Sequence, residues 1–173
     1  LSRDGWLLFA TCGVRSFAYG FLSVILGLYL DAQGLSVTSI GWIFTAALAG
    51  GAVMTIIITA VADSFGRKFL LIIGAVLMAV AGWAFAISNN PILLTIAAIF
   101  GTISPSGKEV GPFLSIEQAV LPQTTSDEHR TVVFSAYNLV GSFAGAIGAL
   151  AVGLPPRFSL TAVSGYRLLV WGY

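Results

Sequence analysis

Four charged side chains sit inside stretches of this chain that are otherwise apolar: Arg15, Lys108, Glu109 and Glu117. An ionised side chain at the centre of a bilayer costs at least ~2.5–3.5 kcal/mol, so each one asks for a reason. A buried guanidinium or ammonium can hold an anionic group. A buried carboxylate can take up and release a proton. Thr11, Arg15, Tyr19 and Ser23 recur every four residues, which sets a polar stripe on one face of a helix. The segment Ser106-Gly-Lys108-Glu109-Val-Gly-Pro112 combines both charge signs with residues that weaken a helix. Neighbouring helical residues point about 100° apart, so Lys108 and Glu109 each look to another helix for a partner. Arg15 is read as the partner of Glu109, directly or through a bound solute. Ser135, Asn138 and Ser142 form a further polar row, suited to lining a cavity or to bonding neighbouring helices.

Catalysis finds little support. The one cysteine, Cys12, and the one histidine, His129, cannot build a metal cluster. The glycine and lysine pattern near Gly101 misses the phosphate-binding loop in spacing and has Glu109 after the lysine, where that loop needs Ser or Thr. The chain is therefore read as no enzyme, with no cofactor and no metal. A net charge of +1 argues against nucleic acid as a partner.

The elements that position these groups follow from composition. Hydrophobic residues make up 57% and charged residues 9%, with mean hydropathy +0.95. A soluble domain carries about a quarter charged residues, so this chain needs a bilayer. Apolar runs long enough to span, about 20 residues, fall at 6–30, 39–62, 69–87, 92–121 and 131–152, and a sixth begins at 166–173. Membrane-spanning backbone must satisfy its own hydrogen bonds, so the runs are read as α-helices. The expected fold is an all-α transmembrane bundle of five complete helices and the start of a sixth. The chain begins at Leu1 and stops inside an apolar run, so it is read as a piece of a longer protein. An inner amino terminus puts Arg3, Arg67, Lys68, His129 and Arg130 on the cytoplasmic side, against Arg157 and Arg167 outside, as the positive-inside rule requires.

The turn between the second and third runs reads Ala62-Asp63-Ser64-Phe65-Gly66-Arg67-Lys68. It resembles the signature loop of the major facilitator superfamily of secondary transporters, Gly-x-Leu-Ala-Asp-Arg-x-Gly-Arg-Arg/Lys. Ala62, Asp63, Gly66, Arg67 and Lys68 match. Thr59, Val61 and Ser64 stand where Gly, Leu and Arg are usual. The polar stretch ending at His129-Arg130 is similar to the acidic-then-arginine lead into that family's fifth helix. Ala146 stands where proton antiporters of the family often carry the proline of a Gly-Pro pair.

The resemblance implies the amino-terminal six-helix half of a transporter, spanning 1–173 and working with a carboxy-terminal half of the same protein. It implies alternating access for a small solute, coupled to protons, in a plasma or inner membrane. Arg15, Tyr19, Lys108, Glu109 and Asn138 become the cavity residues. Asp63, Gly66, Arg67, Lys68, Glu117 and Arg130 become the cytoplasmic gate, with Glu117 pairing with arginines of the loops. A transport-inactive sensor or scaffold of the same fold is the alternative.

Overall fold

The computed structural model describes residues 2–101 and 112–153, and for Asp63 and Pro112 the backbone alone. The described chain is helical and contains no strand. Its helices are α1 (Arg3–Ala32), α2 (Val37–Phe65), α3 (Arg67–Ile87), α4 (Pro91–Phe100), α5 (Pro112–Val120) and α6 (Arg130–Ala151). Two short 3-10 turns, Leu121–Thr124 and Asp127–His129, join α5 to α6. The run read as 92–121 is thus seen as α4 and α5. Residues 102–111, with Lys108 and Glu109, lie outside the described residues, as does the start of the sixth run.

Local chemistry sets the helix ends. Ser2 caps α1 by accepting from the Gly5 N–H at 3.2 Å, and Ser36 caps α2 by accepting from Ser39 at 3.2 Å. Asn90 caps α4 through the Ile92 and Leu93 amides, and Pro91 fills the first position, where no N–H is needed. Tyr29, fully buried, donates its hydroxyl at 2.8 Å to Phe85 O in the last turn of α3, where carbonyls lack helical partners.

Packing divides the bundle lengthwise. At one end Ile25, Leu26, Tyr29 and Leu30 of α1 meet Ile43 of α2, Phe85 of α3 and Leu94 of α4 in the main apolar core. Toward the other end two smaller clusters form. One joins Leu8 and Cys12 of α1 to Val133 and Tyr137 of α6; the other joins Ile58 of α2 and Leu70 of α3 to Ile116 of α5. The Ser2 amide donates at 3.0 Å to Thr124 O, which ties the start of α1 to the α5–α6 connection. That end also carries the α2–α3 turn, so Arg3, Arg67, Lys68 and Arg130 share it.

The outer surface is apolar. Trp42, Ile56 and Leu150 are each about 70% exposed or more. Among the described residues, four helices are long and apolar enough to cross a membrane, and their outward faces are suited to lipid.

α1 and α6 run closest together. A Cβ on Gly20 would lie 2.8 Å from Gly145 Cα, and one on Gly148 would lie 2.9 Å from the Phe17 carbonyl carbon. Only glycine lets the two backbones approach so closely. The glycine row of α6 is therefore its α1-facing stripe.

A buried ion cluster as the candidate functional site

Arg15 is 8% exposed and Glu117 2% exposed, and they bind each other through two parallel bonds. Arg15 Nη1 donates to Glu117 Oε1 at 3.0 Å, and Nη2 to Oε2 at 2.5 Å. This two-pronged geometry matches the planar guanidinium to the carboxylate. Tyr137 donates its hydroxyl to Glu117 Oε2. The ring of Phe113 stacks against the guanidinium, 4.6 Å from Cζ to the centroid, and adds a cation–π contact. The cluster thus joins α1, α5 and α6.

Helix geometry explains the meeting. Arg15 lies twelve residues beyond Arg3, or roughly 18 Å along α1 at 1.5 Å per residue. Its side chain leans toward the start of its own helix, as helical side chains do. Glu117 lies in the last turn of the antiparallel α5 and leans the opposite way. The two heads meet above the Ser2–Thr124 contact. Arg15 is deep by its Cα, and its head reaches back toward the basic end.

This differs from the sequence expectation in one respect. Glu117 was expected to pair with loop arginines, yet its described partners are Arg15 and Tyr137. The loop arginines are engaged elsewhere. Arg67 Nη1 donates to Ala119 O at 3.4 Å, in the last turn of α5. Arg130 pairs with Asp127 at 2.8 Å on the surface. The expected Arg15–Glu109 pair falls outside the described residues. Tyr19 is buried in the main apolar core. Asn138 is exposed on α6, and so are Ser135 and Ser142. Thr11 and Ser23 satisfy their hydroxyls on their own helix, with Thr11 donating to Leu7 O and Leu8 O and Ser23 to Gly20 O.

Sequence reasoning missed Tyr137 and Phe113. A signal for Tyr137 was present: Tyr137, Gly141, Gly145 and Gly148 follow helical spacing, so the tyrosine continues the glycine stripe. Asn138, one residue on, is turned about 100° away. Phe113 left no comparable mark in the sequence.

The α2–α3 turn braces the cluster from below. Gly66 ends α2 and begins α3 at φ +85°, ψ +127°. This lies in a region that essentially only glycine occupies. Lys68 is exposed, and the Arg67 guanidinium sits at the carbonyl end of α5, where a cation is favoured. Thr59 Oγ1 bonds Ser115 Oγ at 3.2 Å, so α2 grips α5 a turn higher. A Cβ on Gly66 would meet nothing within 4 Å, so Gly66→Ala carries backbone strain alone. Its expected cost is about 1–3 kcal/mol, read as a lower melting temperature in detergent; an unchanged melt would reject the strain.

A bundle of long apolar helices with a charge cluster buried among them belongs to the class of polytopic membrane proteins. The chain belongs to the Major Facilitator Superfamily, whose family model matches residues 8–172. It is 39% identical over 153 residues to the uncharacterized membrane protein YJR124C of Saccharomyces cerevisiae, covering 88% of this chain and 34% of that protein. It is 24% identical over 178 residues to an uncharacterized MFS-type transporter, MJ1560, of Methanocaldococcus jannaschii, covering 100% of this chain and 45% of that protein. The chain thus spans a third to under half of the length of these relatives. No solved structure matches it.

Proposed function

We propose that the chain is the amino-terminal half of a secondary active transporter that moves a small solute by alternating access. A carboxy-terminal half supplies the other wall of the cavity, and protons supply the driving force. The observation that carries this reading is the Arg15–Glu117 pair, buried with Tyr137 and formed by the two charged side chains that are buried among the described residues. A buried carboxylate held by a guanidinium is a chemical basis for proton uptake coupled to movement. Arg15, Tyr19, Lys108, Glu109 and Asn138 remain the proposed cavity residues, with Glu109 a second candidate proton carrier. Asp63, Gly66, Arg67, Lys68, Glu117 and Arg130 remain the proposed gate. Arg67 bonds α5 two residues beyond Glu117, which supports a link between the loop and the cluster.

The test is flux of a compound panel by the full-length protein in proteoliposomes, with and without a pH gradient. Accumulation that follows the gradient is expected. Absence of flux for every compound would favour the scaffold reading.

The proposed orientation has its own test. Ser64 is exposed and native Cys12 is buried, so Ser64→Cys, in a protein cleared of other accessible cysteines, places a reporter thiol in the turn. An impermeant maleimide should label it only after the inner face is opened. Labelling of intact cells would reverse the orientation.

A further inference from the structure

The α2–α3 turn presents a basic corner at the end of the bundle that also holds Arg3 and Arg130. Residues 58–72 and 113–134 of this end are all described, Asp63 by its backbone. The bases there are not equivalent. Arg67 donates to the Ala119 carbonyl, Arg130 is paired with Asp127, and Arg3 has Asp4 beside it in the first turn of α1. Lys68 is exposed and has no anionic partner among the described residues. From Ala62 to Phe69 the bases Arg67 and Lys68 outnumber the acid Asp63, whichever way that acid turns. The corner therefore carries net positive charge.

The surface around Lys68 is apolar. Phe65 and Phe69 flank it in the chain, and Ile72, Val76 and Val80 follow it at four-residue steps. Each of these side chains is more than half exposed. Residues four apart lie above one another on a helix, so they form a ridge that starts at the Lys68 ammonium. From Lys68 to Val80 the ridge climbs about 18 Å at 1.5 Å per residue. One leaflet of a core ~30 Å thick is about 15 Å deep. The ridge thus matches the length of one leaflet. A soluble anion would use the ammonium and leave the ridge idle, whereas a lipid with an anionic headgroup uses both.

We propose that this corner holds one glycerophospholipid of net negative headgroup charge. Its phosphate lies against Lys68 Nζ, and one acyl chain runs along Ile72, Val76 and Val80. Phe65 and Phe69 sit at the boundary between headgroup and chain. The four-carbon stem of Lys68 carries the ammonium out to headgroup level while its Cα stays at the helix start. A zwitterionic lipid offers the same phosphate but brings its own cation, so the ammonium separates the two lipid classes. The contact reaches the bundle through the next residue. Arg67 bonds α5 two residues beyond Glu117, so a lipid seated on Lys68 steadies the turn that braces the ion cluster. This inference rests on the membrane fold and goes beyond the transporter reading.

The experiment is native mass spectrometry of the full-length protein, released from detergent micelles that hold equal amounts of dioleoyl phosphatidylglycerol and dioleoyl phosphatidylcholine. The parent should retain one phosphatidylglycerol that Lys68→Gln does not, with a preference of about fivefold, as one interfacial base contributes. Lys68→Arg should keep that lipid, and so should Arg3→Gln. Raised salt should weaken the preference, because Lys68 is exposed. Dihexanoyl phosphatidylglycerol keeps the headgroup but cannot follow the ridge, and should bind at least tenfold more weakly. Glycerol phosphate at the same concentration should displace nothing.

A preference in Lys68→Gln equal to the parent's would overturn the proposal. So would an equal loss in Arg3→Gln, which would make the attraction a diffuse property of the basic end. Displacement by glycerol phosphate would make the ligand a soluble phosphate and reject the lipid. Loss of the lipid in Lys68→Arg would reject a contact made by charge.

Discussion

Arg15→Ala and Glu117→Ala are each expected to destabilise the protein by about 3–5 kcal/mol, and the double variant by far less than the sum. Both side chains are more than nine-tenths buried, so either deletion takes this partner from a charge that water cannot reach. Deleting both removes the desolvation cost with the attraction. The bidentate geometry makes the coupling strong, because both carboxylate oxygens lose a donor together. Tyr137→Phe should cost less, about 1.5–3 kcal/mol, since it removes one hydrogen bond to a charged group and leaves the ion pair in place. A double-mutant cycle on unfolding in detergent reads the coupling. Strictly additive losses would show that Arg15 and Glu117 stabilise the fold independently. A Tyr137→Phe loss as large as that of Glu117→Ala would shift the weight of the cluster from the ion pair to the phenol.

The sequence made the helices easy to find and their rotations hard to find. Apolar runs between Gly34, Gly66 and Ser88-Asn-Asn-Pro91 mark the first helix boundaries, because turn and cap chemistry is local. Which face of each helix turns inward is set by packing in three dimensions. In a membrane this is nearly invisible to periodicity, since lipid-facing positions are as apolar as core positions. Arg15 was recognisable as a buried charge from its type and depth alone. Its described partner was not, because Glu117 stands so near the end of its run that an interfacial role looked natural. The reach of two long side chains leaning toward each other closes the gap. On α6 the polar row Ser135, Asn138 and Ser142 drew attention, but it is exposed, and the glycine row one step round the helix faces α1. Small residues were the better guide to the interior there, since close approach needs the absence of side chains.

The same glycine row gives the second large effect, and the sign differs along it. A Gly→Ala change inside a helix gains roughly 0.5–1 kcal/mol of backbone entropy when the space is free. At Gly141 the new Cβ would sit 3.3 Å from Ser16 Oγ and 3.4 Å from Cys12 Sγ, both side-chain atoms that can shift by a few tenths of an ångström. Gly141→Ala is therefore expected to be close to neutral. At Gly20 the obstacle is the backbone of Gly145, with Cα 2.8 Å away, and at Gly148 it is the backbone of Phe17, with Cα 3.1 Å away. Backbone can yield only if α1 and α6 separate along their length. That separation loosens the Tyr137–Glu117 contact as well, because Tyr137 reaches across from α6. Gly20→Ala and Gly148→Ala should each cost about 1–3 kcal/mol or more, as overpacking does, despite the entropy gain. Melting in detergent ranks the three variants. If Gly141→Ala proves as damaging as Gly20→Ala, the contact between the helices lies farther toward the start of α6 than the glycine row implies. If all three are neutral, α1 and α6 are not held at backbone distance.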